Sequence, residues 1–219
     1  MARKKRVWYP GAKYHVMSRG NRRAAIFQET NDYISFLSLL RLIREKYPFR
    51  IHSLCLMTNH FHMAVETEET PLWKIMQKIL SIYAEDFNHK YSYTGHLFEG
   101  RYTSCIIEND IYFLEVSRYI HLNPVKAQMV REPLAYEYSS YGTFVDYPDE
   151  HQETGQKMNV IKSLIKEIVD TEKVLGCFRA KLSHPREQYR MFVEGKMSHE
   201  EHELLIQKDM NEDDMWLPW

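Results

Sequence analysis

Apolar positions along this chain switch between two periods. Residues 14–19 (Tyr-His-Val-Met-Ser-Arg) alternate and predict a strand, which Gly20-Asn21 ends. Over residues 31–46, Ile34, Leu37, Leu40 and Ile43 recur at helical spacing, with Phe36 and Leu39 beside them, up to Tyr47-Pro48. Residues 49–57 and 60–66 predict two strands joined by a tight turn at Thr58-Asn59. Thr70 is a good cap and Pro71 suits a first helical position, so a second helix is expected from there to about Asn88. After a loop around Gly95, residues 101–108 predict a fourth strand. Asn109 or Asp110 caps a third helix, which should stop near Asn123-Pro124.

The first six elements follow the split βαββαβ order of ferredoxin-like folds. The expected class is α+β: an antiparallel sheet with helices on one face, plus an added third helix able to reach the strand of residues 60–66. Residues 132–150 are Tyr-rich and irregular, and 149–157 have the composition of a linker. Helical segments follow near 158–174, 185–194 and 199–208, the last with Ser198 and Glu201 as a capping box. The chain therefore divides into residues 1–148 and a helical C-terminal extension, 149–219. It ends on Trp216 and Trp219, rings suited to docking on the domain or on a partner.

Composition narrows the class. The 44% apolar fraction of the 219 residues supports a real core. No apolar run approaches the roughly 18–20 residues of a membrane span, and the basic N-terminus leads into Trp8, Tyr9 and Pro10 rather than an apolar signal core. Cys55, Cys105 and Cys177 are scattered, which argues against a disulfide framework or a thiolate zinc site and fits a reducing cytoplasm. The net charge of −1 hides an asymmetry. Residues 1–50 carry 12 Lys+Arg against 3 Asp+Glu, residues 51–131 carry 7 against 9, and residues 132–219 carry 10 against 18. A basic N-terminal part with Trp8, Tyr9 and Tyr14 suits nucleic acid, with cations for phosphate and rings for unpaired bases; an ordinary solvated arm has the same composition.

Two short stretches carry candidate chemistry. In Asn59-His60-Phe61-His62-Met63, strand alternation puts His60 and His62 on one face and Phe61 on the other. Two imidazoles and an oxygen donor make an open site for a divalent metal, although paired histidines on a sheet surface can also serve structure alone. In Tyr119-Ile120-His121-Leu122-Asn123, four residues of helix stack a phenol and a carboxamide on one face. Arg118 and His121 make this segment look less like pure core. Tyr112 lies on nearly the same face but has Val116, not an oxygen donor, at the following turn. A metal site beside a phenol holds the parts needed to break and rejoin a phosphodiester. A free phenol ionises only near pH 10, so the reaction needs help from an ion such as Mg²⁺ or Mn²⁺. Imidazole donors also suit Zn²⁺ or Co²⁺.

These residues resemble a known family. Thr-Asn-His-Phe-His-Met (58–63) is similar to the His-hydrophobic-His motif of single-tyrosine transposases of the IS200/IS605 type. Arg-Tyr-Ile-His-Leu-Asn-Pro-Val-Lys-Ala (118–127) resembles the nucleophile segment of their relatives, the REP-associated tyrosine transposases. Residues 14–23, 97–102 and 138–141 resemble that subgroup too, and the likeness spans about residues 8–147. It implies a ferredoxin-like fold and a metal-dependent endonuclease that cuts and rejoins single-stranded or hairpin DNA of repetitive palindromic elements through a 5′-phosphotyrosine. It further implies Tyr119 as nucleophile, His60 and His62 as ligands of Mg²⁺ or Mn²⁺, and Asn123 as third ligand. Arg3, Lys4, Lys5, Arg6, Arg19, Arg22, Arg23 and Arg101 are the candidate DNA contacts. A hairpin-binding protein that does not cut, and a metal-dependent hydrolase in which Tyr119 merely packs, are the alternatives. A homodimer stays open.

Overall fold

A computed structural model describes residues 7–145, 156–178 and 184–196. Arg3 to Arg6, the helix expected at 199–208 with its capping box, and the terminal tryptophans lie outside them. Four strands, β1 (Lys13–Arg19), β2 (Phe49–Met57), β3 (His60–Thr67) and β4 (Thr103–Ile107), form one antiparallel sheet ordered β2-β3-β1-β4. Helix α1 (Thr30–Lys46) joins β1 to β2, and α2 (Leu72–Tyr91) joins β3 to β4. This is the ferredoxin-like arrangement. Its helical ends follow local rules. The carboxyl of Glu29 and that of Asp32, three residues on, close a reciprocal capping box at α1. Pro71, not Thr70, is the cap of α2.

The alternation read in the sequence divides the sheet into two faces. On one, Phe61 is fully buried against Phe36 of α1, with ring centroids 5.0 Å apart, and Phe36 meets Tyr83 of α2 at the same distance. Truncating a buried ring such as Phe61 to alanine costs about 3–5 kcal/mol, so the register of β3 is strongly held. A one-residue slip would carry Phe61 to the other face and the histidines into this core.

The other face is covered by α3 (Asp110–Lys126), which lies along β2 and β3. The Asn109 side chain caps it, accepting from the Tyr112 N–H at 2.7 Å. The helix does not stop at Pro124. It runs one further half-turn to Lys126 with Pro124 inside it. A proline costs that turn a single N–H bond, and burial of its ring offsets the loss.

The segments beyond α3 close the edge of the sheet. The Tyr-rich stretch is less irregular than its composition predicts. It forms a short helix α4 (Tyr141–Phe144), and Ser139 bridges to Cys55 of β2. The helix expected over 158–174 is two helices, α5 (Gln156–Ile168) and α6 (Glu172–Leu175). Between them Val169 bridges to Ile51, and the Asp170 N–H donates to the Ile51 carbonyl at 2.8 Å. The break lets the chain satisfy an otherwise open strand edge. Helix α7 (Pro185–Glu194) docks on α3 through the buried Tyr189 hydroxyl, 2.7 Å from Ser117 Oγ and 2.6 Å from His121 Nδ1. His121 Nε2 meets Ser140 Oγ at 2.8 Å. His121 is thus a buried, hydrogen-bonded part of the core, and burial lowers its pKa to about 3. Its polarity in the sequence did not mark an exposed helix face.

Candidate active site

The site lies where the covered face of the sheet meets α3. In the register of β1 and β3, Arg19 stands opposite His60, Met17 opposite His62 and His15 opposite Ala64. His15, His60 and His62 therefore share one face. The rings of His60 and His62 lie 5.1 Å apart, centroid to centroid, at nearly a right angle. From α3, the Tyr119 ring comes to 5.4 Å from that of His62 and 5.7 Å from that of His15, edge-on to both. One turn on, Asn123 Oδ1 stands 3.4 Å from His60 Nε2. The helix brings phenol and carboxamide together because residues four apart sit about 40° apart around its axis.

The hydrogen bonds of Asn59 fix which nitrogen of His60 is free. Asn59 Nδ2 donates to the Arg23 carbonyl at 3.1 Å, which turns Asn59 Oδ1 toward His60 Nδ1 at 2.6 Å. An oxygen acceptor there requires a proton on Nδ1. Burial lowers the pKa of His60, and the Arg19 charge lowers it further against the opposing Asn123 contact. In the neutral ring Nε2 is then a bare lone pair, and it faces another acceptor, Asn123 Oδ1. His62 Nδ1 is engaged with His15 Nε2 at 3.0 Å. Burial lowers His15 to about 4 and His62 well below the usual imidazole range, with the charges of His15, His60 and Arg19 adding to the effect on His62.

Two donor atoms facing each other without a proton between them suit a cation. His60, His62 and Asn123 could hold a divalent ion as a neutral donor set. Among the described residues no three His, Cys, Asp or Glu side chains are gathered for a metal, and a third protein donor beside the two histidines would be the Asn123 carboxamide. A neutral set would leave the full charge of such an ion for phosphate oxygens.

Two nearby groups escaped the sequence reading. His15 was part of an alternating strand with nothing to link it to His62, which is 47 residues away. Lys126 was expected beyond the helix end. Because α3 continues, Lys126 comes back over Tyr119, with Nζ 4.8 Å from the ring centroid. Seven residues of helix return to nearly the same face, and this was the signal available once Pro124 was accepted inside α3.

The other candidates fall in different places. Tyr112 lies two turns before Tyr119, and burial together with the neighbouring Cys105 raises its pKa. Arg22 and Arg23 are exposed, and both have left-handed backbones, φ 54° and 60°. Consecutive left-handed residues that are not glycine carry strain, and here they turn the chain sharply beside Asn59 and His60. Gly20 permits the approach, since a Cβ there would lie 2.1 Å from the Ala24 carbonyl oxygen. Arg101 sits elsewhere, in an open groove between α2 and residues 95–102 that Trp73 and Phe98 also line. No helix among the described residues is long and apolar enough to cross a membrane.

Comparison with known proteins bears on the family and the fold. The family model for IS200-like transposases matches residues 9–123. A solved REP-associated tyrosine transposase bound to a REP hairpin is similar in fold, with a TM-score of 0.56 at 18% identity over 65% of this chain and 84% of that one. A second solved structure, a proposed transposase from Deinococcus radiodurans R1, covers 54% of this chain and 95% of its own at 14% identity, with a TM-score of 0.39. No curated protein matches the sequence.

Proposed function

Since the chain belongs to the family of IS200-like transposases and is therefore a DNA-processing enzyme, we propose that it cuts and rejoins single-stranded DNA next to hairpins through a covalent bond to Tyr119. The observation that carries this reading is the meeting of Tyr119 with His62 at 5.4 Å and of His60 with Asn123 at 3.4 Å, on elements far apart in sequence. An acceptor pair beside a phenol suits a cation better than it suits a purely structural cluster of histidines.

The steps follow from the groups present. Arg19, Arg22 and Arg23 attract the DNA backbone toward the end of β1. Tyr119 Oη attacks the scissile phosphorus. A phosphorus–oxygen bond forms to the tyrosine, the bond to the 3′ oxygen breaks, and the phenol proton leaves to solvent as the departing oxygen gains one. A divalent ion on His60, His62 and Asn123 would supply charge stabilisation at the phosphate. The Lys126 ammonium lies over the ring that becomes electron-rich as the phenol gives up its proton. The product holds a 5′-phosphotyrosine and a free 3′-hydroxyl, and attack by that hydroxyl or another reverses the step. The bond energy is conserved, so no nucleotide is consumed. Tyr119 adjoins the histidines of its own chain, which favours action within one subunit.

The hairpin in the similar REP-associated transposase makes palindromic hairpins the first substrates to test here. Incubation with labelled single strands carrying a hairpin and Mn²⁺ should leave DNA on the denatured protein. DNA that is bound but never attached would instead assign a binding protein.

A further inference from the structure

We propose that His15 is a positioning residue that selects the tautomer of His62, holding the His62 Nδ1–H so that Nε2 is left as the metal-facing lone pair. The inference rests on the reading of His60, His62 and Asn123 as a metal site, and it extends that reading to a residue outside the ligand set.

The geometry begins in the sheet. His15 and His62 are diagonal neighbours across β1 and β3, because His15 pairs with Ala64 and His62 with Met17. Diagonal neighbours stand about 7–8 Å apart at the backbone, within reach of two rings leaning toward each other. Opposite His15 is Ala64, whose single methyl leaves room for that lean. The rings meet with centroids 5.2 Å apart and His15 Nε2 3.0 Å from His62 Nδ1. One proton occupies that contact.

If His15 supplied the proton, His62 would carry its own on Nε2 and could not bind an ion there. If His62 supplies it, Nε2 is bare. The neighbouring histidine has the same arrangement by a different device, since the oxygen of Asn59 can only accept from His60 Nδ1. Both motif histidines would then be held at Nδ1 and free at Nε2. Metal-bound histidines generally donate their second N–H to such an outer partner, which orients the ring. His15 also touches the edge of Tyr119, so the same ring spaces the nucleophile from the ligand.

The test uses the full chain without DNA. Imidazole ¹⁵N shifts of the metal-free protein, assigned by comparison with His62→Gln, report which His62 nitrogen is protonated. Mn²⁺ titration reports affinity. In the wild type, His62 should carry its proton on Nδ1. His15→Ala should release that preference and weaken Mn²⁺ binding about 10- to 100-fold. His15→Gln, whose carboxamide oxygen can accept in place of Nε2, should keep the Nδ1 proton and most of the affinity. A wild-type proton on His62 Nε2 would overturn the proposal, as would full Mn²⁺ affinity in His15→Ala. So would His15→Gln as weak as His62→Gln, which would make His15 a ligand. If the wild type bound no Mn²⁺, the metal reading would fail by itself, and the ¹⁵N shifts would still decide whether His15 fixes the His62 proton.

Discussion

Asn123 Oδ1 stands 3.4 Å from His60 Nε2 across 63 residues of sequence, and with His60 protonated on Nδ1 the two atoms are both acceptors. A cation held between them makes that contact favourable. The site can be probed through the carboxamide. Asn123→Ala removes an oxygen ligand and should weaken Mn²⁺ binding by at least about 10-fold, the lower end of what even outer-shell changes cost. Asn123→Asp should bind Mn²⁺ more tightly than the wild type yet cut DNA more slowly, because a carboxylate neutralises charge meant for the phosphate. Titration with Mn²⁺ and single-turnover cleavage measure the two. Equal cleavage by Asn123→Asp and the wild type would argue against the neutral-donor account.

Arg22 and Arg23 are exposed on a strained turn next to the motif asparagine. If both contact phosphates, replacing them with glutamine removes two counterion-releasing contacts. The slope of log affinity against log salt on a single strand should then fall by about 1.4, at about 0.7 per contact. Binding by fluorescence anisotropy at several salt concentrations reads this. An unchanged slope returns both to the class of solvated surface charges.

The sheet and its histidine face could be read from the chain because two-residue alternation determines faces directly. Phe61 in one core and His60 with His62 on the other side follow from a single strand. The Tyr119 and Asn123 pairing was legible for the same reason in helical form. His15 was not, since its partner comes from another strand and pairwise register is a tertiary property. Lys126 was hidden by a local rule, that proline ends a helix, which burial overrode. The break between α5 and α6 was also invisible, because it serves the edge of β2 rather than its own helical pattern.

Glu66 links the sheet to the C-terminal extension and predicts an acid limit to stability. Burial pushes its carboxyl upward, but hydrogen bonds from His52 at 2.9 Å and Lys173 at 2.6 Å outweigh that and bring it down from 4.5 to about 2. A depressed carboxylate stabilises the fold above its unfolded pKa and loses that contribution as pH falls from about 4.5 toward about 2. The full term is up to about 3 kcal/mol. Urea unfolding of Glu66→Gln should therefore show lower stability than the wild type at pH 7 and a smaller difference at pH 3. A constant difference would assign the effect to packing.

Lys126 should matter to rate rather than to DNA affinity. Its ammonium lies 4.8 Å above the Tyr119 ring. Cation–ring contacts are worth about 0.5–2 kcal/mol, and more as the ring gains negative charge. Lys126→Met should slow adduct formation about 10-fold at saturating DNA, and Lys126→Arg should recover most of it. Loss of binding without loss of single-turnover rate would instead make Lys126 a phosphate contact.

Tyr119 is predicted to be the only nucleophile. Its ring adjoins His15, His62 and Lys126, while Tyr112 lies two turns away, where Asn123 and His60 do not meet. Tyr119→Phe keeps the ring, and with it the edge contacts to both histidines, but deletes the attacking oxygen. Folding, Mn²⁺ binding and hairpin binding should stay near wild type, because among the described residues no hydrogen bond of the core uses that hydroxyl, whereas the covalent DNA adduct should disappear. Tyr112→Phe should form the adduct at close to the normal rate. His60→Ala should also lose the adduct, but through the ion, so raising Mn²⁺ should restore part of it, which no concentration of metal can do for Tyr119→Phe. Adduct surviving in Tyr119→Phe and vanishing in Tyr112→Phe would move the nucleophile two turns up α3 and undo the chemistry assigned to this site.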